Sequence, residues 1–237
     1  MDYRIEQKFL CTQKEYAILK SRLPEIMNID KNANADNQYL IRSVYFDDMY
    51  HSKYHENEQG CDNRFKYRIR TYDCNDNIIQ LEKKSKLNTY TNKKSCPLSK
   101  EEYANFMKGD FLFHPSTFPL ANEFALSILL NRMAPSAIID YNREAYTYAA
   151  GNTRITFDSN IGVSGDYQHF FHNELATIPL LQTGYFILEV KYDEFLPKAI
   201  ASMLELRSLQ QITFSKFYVG KQKLLYHDGG FTNGFYQ

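Results

Sequence analysis

Arg64-Phe-Lys-Tyr-Arg-Ile-Arg-Thr-Tyr72 places a cation at every second position, Arg64, Lys66, Arg68 and Arg70, with Phe65, Tyr67 and Ile69 between them. A β-strand sends alternate side chains to opposite faces, so as a strand this segment has one cationic and one apolar face. The cations then face either bulk water or a polar cavity, and that choice decides the function. From Arg64 to Lys94 the chain holds nine basic residues against three acidic ones, although its 28 basic and 28 acidic residues cancel overall. Such a local excess calls for an anion.

Outward from this segment, residues 3–9 alternate as a strand, and residues 12–27 have helical spacing with Thr12 as N-cap before Tyr16, Ile18, Leu19 and Leu23. Further strands are expected at 39–47, 78–84, 90–96, 137–148, 153–158 and 185–191, with 73–77 as a hairpin loop. Ser99 caps a short helix with Glu101 and Glu102 in its first turn. Residues 119–131 read as a helix with apolar Leu120, Phe124, Leu126 and Leu130, and 197–209 and 215–226 are helical. The stretch 160–183, with Gly162, Gly165 and Pro179, reads as a long loop or irregular excursion. The expected class is α+β with an antiparallel sheet.

No linker or shift in composition divides the 237 residues, so a single domain over 1–237 is expected. Hydrophobic content of 43% supplies a core, and no run of eighteen apolar residues is long enough to span a membrane. The N-terminus lacks the layout of a secretory signal, which predicts a soluble, cytoplasmic chain. Cys11, Cys61, Cys74 and Cys96 have neither zinc-site spacing nor disulfide-scaffold density and read as free thiols. Zero net charge argues against a nucleic-acid partner. The pairs His51/His55 and His169/His172 lack the companions of a zinc site, and no P-loop or nucleophile elbow is present.

The alternation recurs. Arg4, Glu6 and Lys8 share a face, as do Gln80, Glu82 and Lys84; Tyr141 and Arg143; Arg154, Thr156 and Asp158; and Glu189 and Lys191. A sheet with a solvated outer face gives the same pattern. Against it stand the weight of arginine and the sparse carboxylates, together with enough helices to cover the apolar faces from outside. A charged interior needs an occupant, most simply a chain of phosphates with a divalent metal.

Arg4-x-Glu6-x-Lys8 resembles a degenerate form of the ExExK signature of triphosphate tunnel metalloenzymes, the CYTH-like superfamily. Ser43-Val-Tyr-Phe-Asp47, Arg68-Ile-Arg70, Leu81-Glu-Lys-Lys84, Tyr141-x-Arg143-x-Ala145-Tyr146, Arg154-Ile-Thr-Phe-Asp158, Leu188-Glu-Val-Lys191 and Phe214-Ser-Lys-Phe217 follow in the order of the VTC domain, the catalytic domain of polyphosphate polymerases. The resemblance runs from about residue 3 to 226. It implies an antiparallel barrel whose tunnel binds ATP or another triphosphate and inorganic polyphosphate, with helices packed outside and a C-terminal helix.

Carried over by position, Arg68, Arg70, Lys84, Arg143, Arg154 and Lys216 would be catalytic, and Lys8, Lys66, Lys93, Tyr141, Lys191 and Ser215 would bind substrate. Tyr141 would stack on the base. Glu189, with Glu6 and Glu82 as further carboxylates, would hold Mn²⁺ or Mg²⁺. Arginine forks match phosphate oxygens, and phosphoryl transfer needs mainly positioning and charge neutralisation. Two departures stand out: Arg4 replaces the first acid of the signature, and Lys93-Lys-Ser95 replaces a K-x-R pattern. Neither an SPX-like regulatory domain nor a transmembrane region is expected in these residues, so regulation, or a membrane-protein partner that receives product, would come from elsewhere. Three activities stay open: a polyphosphate polymerase that releases ADP, a tunnel hydrolase of tripolyphosphate or nucleoside triphosphates, and a non-catalytic polyphosphate-binding module.

Overall fold

The computed structural model describes residues 4–87, 90–109, 116–206 and 208–228. In chain order come β1 (Ile5–Thr12), α1 (Gln13–Arg22), β2 (Asn28–Ile29), β3 (Gln38–Asp47), α2 (Ser52–Glu58), β4 (Asn63–Tyr72), β5 (Gln80–Leu87) and β6 (Tyr90–Pro97). Then follow α3 (Lys100–Lys108), α4 (Pro119–Asn131), β7 (Ala134–Tyr148), β8 (Thr153–Ser164), β9 (Ile178–Pro179), β10 (Tyr185–Tyr192), α5 (Lys198–Leu204), β11 (Gln210–Gln211) and α6 (Lys216–Asp228). Pairing orders the sheet β11-β1-β10-β8-β7-β3-β4-β5-β6, with β2 on β7 and β9 on β8. The registered ladders are antiparallel, so the α+β class read from the alternation holds. Among the described residues the path ends on β11 and β6, and no pairing joins them into a ring.

Local signals explain the element boundaries. Thr12 and Ser99 each head a capping box, with Glu15 and Glu102 returning a bond to the cap backbone. Pro119 opens α4, where a missing N–H costs nothing. The first helix stops at Arg22, short of the expected residue 27, because Pro24 turns the chain into a 3-10 turn at Leu23–Glu25. The stretch expected as irregular begins instead as the end of β8, which continues to Ser164 past a left-handed Asn160. The last helices also shift, with α5 ending at Leu204. Tyr3 and Arg207, included in the strand and helix expected there, lie outside the described residues.

The chain divides into two compact units. The first holds Met1–Ile41, Tyr141–Ile161 and Leu181–Phe214. Its core sets Leu19 and Leu23, and Ile200 of α5, against Cys11, Phe157, Leu188 and Val190 of the strands. The second holds Arg42–Asp140, Gly162–Leu180 and Ser215–Gln237. There Phe106 of α3 and Leu120, Phe124 and Ile128 of α4 cover Val44, Phe46, Tyr67, Ile69 and Leu81. Each of these helices lies on the apolar face of its strands, as the alternation requires.

Within the second unit α6 is the exception, because it lies on the opposite face. Phe217 stacks on Tyr45, ring centroids 5.0 Å apart, and Tyr45 alternates with the core residues Val44 and Phe46. Gly220 permits this approach: a Cβ there would come within 3.2 Å of Val163 Cγ2 and closer still to Ile139 Cδ1. The same unit contains a buried clamp. Arg42, 1% exposed, forks onto Asp140 at 3.2 and 2.9 Å and donates to the carbonyls of Phe170 and His172 at 2.9 and 2.5 Å. All four cysteines are free, as expected. No helix among the described residues is long and apolar enough to cross a membrane.

Candidate functional site

In the second unit the β4–β5–β6 register turns the alternation into rungs. Arg68 lies opposite Glu82, and Glu82 opposite Ser95. One rung away Lys66 lies opposite Lys84, and Lys84 opposite Lys93. Like charges directly opposite across strands are destabilising, so a rung of three lysines is a place where an anion between the strands lowers the energy.

Glu82, 3% exposed, is the carboxylate around which this surface gathers. Arg68 reaches its Oε2 at 2.6 Å, Lys93 its Oε1 at 3.1 Å, and Arg70 stands 3.7 Å away. Burial works against the Glu82 charge, yet Arg68, Arg70 and Lys93 hold its pKa far below the usual carboxylate range. Three cations around one carboxylate make this group cationic. The Tyr45 phenol reports the same field: burial alone would raise its pKa, but Arg68, Arg70 and Lys216 bring it below the ordinary phenol value.

The start of α6 belongs to this surface. Ser215 Oγ accepts from the Tyr218 amide at 3.3 Å, capping the helix, and from Lys66 Nζ at 3.1 Å. Its own hydroxyl hydrogen is then the donor it offers an anion at a helix N-terminus. Lys66 also donates to Asn57 Oδ1 at 2.6 Å, and Arg70 donates to Ser43 Oγ at 3.1 Å.

The first unit carries a second charged group, richer in carboxylates. Lys8 lies opposite Glu189, Glu6 opposite Lys191, Glu189 opposite Thr156 and Lys191 opposite Arg154. Lys8 Nζ is 3.1 Å from Glu6 and 3.7 Å from Glu189. Lys191 pairs with Glu189 and lies 3.7 Å from Glu6. Burial opposes the Lys8 charge, but Glu189, Glu6 and Asp158 raise its pKa above the usual lysine value. Arg143 makes a fork to the fully buried Asp158 at 2.6 and 2.7 Å. Burial disfavours its charge too, but Asp158, Tyr141 and Glu189 hold it firmly protonated. Arg154 donates to Asp30 at 2.7 Å and to the Tyr39 hydroxyl at 2.9 Å.

Lys8 and Lys191 each reach both Glu6 and Glu189, which places a cation between two hard oxygen donors. That donor set fits Mg²⁺ or Mn²⁺, which are commonly held by one or two carboxylates plus substrate phosphates. Among the described residues no three His, Cys, Asp or Glu side chains group to hold a metal by themselves. Glu82 belongs to the other unit and is engaged by its cations. The structure therefore brings Glu6 and Glu189 together with Lys8 and Lys191, and Arg68, Arg70 and Lys93 together around Glu82. Tyr141 is 3% exposed, with the Arg143 guanidinium 5.3 Å from its ring centre.

Ser43 and Tyr45 received no role from the sequence, although they sit in a quoted motif. The alternation test finds them: with Val44 and Phe46 in the core, positions 43 and 45 take the charged face. The same parity puts Tyr39 on that face of β3, whereas Asp30 and Asn57 lie outside any alternating segment and no local signal marks them.

The family model for the VTC domain matches residues 3–225. No curated protein matches the sequence. Among solved structures, a candidate adenylate cyclase from Bacillus halodurans is similar at 16% identity with a TM-score of 0.54, covering 90% of this chain and 94% of that one. A protein from Pyrococcus horikoshii OT3 gives 13% identity and a TM-score of 0.47, covering 93% and 99%.

Proposed function

Since this chain belongs to the VTC domain family, we propose that it is a metal-dependent polyphosphate polymerase that transfers the γ-phosphate of ATP to the end of a polyphosphate chain and releases ADP. The observation that carries the reading is the Lys66–Lys84–Lys93 rung beside the Arg68–Glu82 rung. Five charged positions on three adjacent strands, four of them cationic, match the repeated negative charge of a phosphate chain.

In this reading Arg68, Arg70, Lys84, Lys93 and Lys216 bind and orient phosphate oxygens, and the Ser215 hydroxyl donates one further hydrogen bond. Within the first unit, Lys8, Lys191, Arg143 and Arg154 form a second group of phosphate-binding cations. Glu6 and Glu189 would hold Mn²⁺ or Mg²⁺, which neutralises charge on the phosphates when bound. A terminal phosphate oxygen of the acceptor attacks the γ-phosphorus; the bond to the β–γ bridging oxygen breaks, and its electron pair leaves with ADP. The attacking oxygen is already ionised near neutral pH, so no general base is required. Glu82, held far below the usual carboxylate range, is a poor proton acceptor.

The test incubates the purified chain with ATP and Mn²⁺, with and without a short polyphosphate primer, and resolves the products on a gel. Polymer plus ADP in the wild type, lost in Glu189→Ala and Arg68→Ala, is the expected result. ADP and free phosphate without polymer would make it a hydrolase, and binding without turnover would make it a binding module.

A further inference from the structure

Nothing in phosphate chemistry requires a tyrosine at position 45, yet Tyr45 touches both parts of the cationic surface of the second unit. It is 8% exposed. Its hydroxyl accepts from Arg68 Nη1 at 2.8 Å, and the Arg68 guanidinium carbon lies 5.7 Å from its ring centre. Its other neighbour is the first turn of α6, where Phe217 stacks on it at 5.0 Å with the rings 26° apart. Phe217 directly follows Ser215 and Lys216, and Lys66 Nζ lies 5.2 Å from the Phe217 ring centre while bonding Ser215.

We propose that Tyr45 is a positioning residue that couples Arg68 on β4 to Ser215 and Lys216 at the start of α6, so that the two sets of phosphate-binding groups are placed as one. The inference rests on the polymerase reading only for the purpose of the placement; the coupling itself needs no turnover. Two features make the link directional. The phenol oxygen fixes one guanidinium nitrogen, which limits the rotation of a side chain whose Nε is already held by Glu82. The ring supplies a flat, rigid contact for Phe217, and stacked aromatic pairs contribute beyond the area they bury. Gly220 allows α6 to sit close enough for that contact, because a side chain there would meet Ile139 and Val163. The donor in this bond is the charged Arg68 guanidinium, so the bond to the phenol oxygen is charge-assisted.

The test is a mutant cycle on the affinity for inorganic tripolyphosphate with Mn²⁺, measured calorimetrically on the full chain. Arg68→Ala and Lys216→Ala are combined in the wild-type background and again in Tyr45→Leu. In the wild type the loss in the double variant is expected to fall short of the product of the single losses by about fivefold or more, the size of coupling seen between residues linked through shared contacts. With Leu at 45 the losses should multiply to within about twofold, as independent sites do. Tyr45→Phe keeps the ring and should retain the Lys216 contribution while weakening that of Arg68. Coupling that persists unchanged in Tyr45→Leu overturns the proposal, since substrate alone would then link the two groups. Polymer synthesis, run in parallel on the wild type, fails or succeeds independently of that result.

Discussion

Glu82 decides what its cations are free to do. It pairs with Arg68, Arg70 and Lys93 at once, so it serves as the resident counter-ion of a surface built for a larger anion. Glu82→Gln removes that charge while keeping the shape. The variant is expected to lose about 1–3 kcal/mol in urea titration, the range for stripping a buried hydrogen-bonded partner, and to be stabilised more by added tripolyphosphate than the wild type is. A variant as stable as the wild type without ligand would show that Glu82 is not the counter-ion. Alternation placed Arg68, Arg70, Lys84, Glu82 and Glu189 on charged faces directly, because the period of a strand is a local property. It could not tell which carboxylate met which cation. Glu82 and Glu189 read alike in sequence, and only strand register separates the one among arginines from the one between lysines.

Elements were legible where the local chemistry is strong. Thr12 and Ser99 announce α1 and α3 through their capping boxes, and Ser99→Ala is expected to lower stability by about 1 kcal/mol. Thermal melts of that variant against Glu102→Gln, which keeps a reciprocal acceptor at N3 and should lose less, check the assignment: a Ser99→Ala melt unchanged from the wild type would mean that the Ser99 hydroxyl contributes nothing. Helix α2 escaped because Ser52-Lys-Tyr-His-Glu-Asn-Glu58 has no apolar period; it forms where Asp47 accepts the amides of Lys53 and Tyr54 at 2.8 and 3.0 Å. In α4 the helix was legible and its buried face was not. Apolar residues surround it, and the structure buries Leu120, Phe124 and Ile128 while Leu126 and Leu130 are exposed. Periodicity selects a face only when the other faces are polar.

At the scale of the whole molecule the strand order was beyond the sequence's reach, since no local pattern says that β3 lies between β7 and β4. The charge layout, by contrast, has a global consequence in pH. Glu82 is depressed in the folded chain, so its contribution is present above the unfolded carboxylate value, about 4.3, and is lost as pH falls through the folded value. Lys8 is raised, so its contribution is complete below the unfolded lysine value, about 10.4, and is lost as pH rises through the folded one. Asp47, raised by burial, binds its proton more readily when folded and offsets part of the acid loss. Stability measured by urea titration across pH should therefore form a plateau through neutrality, and Glu82→Gln should soften its acid edge while leaving the alkaline edge in place. An unchanged acid edge would assign that limb to other carboxylates. Arg42 has a consequence of another kind. Because one buried guanidinium grips Asp140 together with the main-chain carbonyls of Phe170 and His172, the chain around 170–172 is held by its backbone, whatever side chains it carries. A protease that nicked the exposed stretch just beyond, at Glu174, would sever the covalent chain without freeing the end it created.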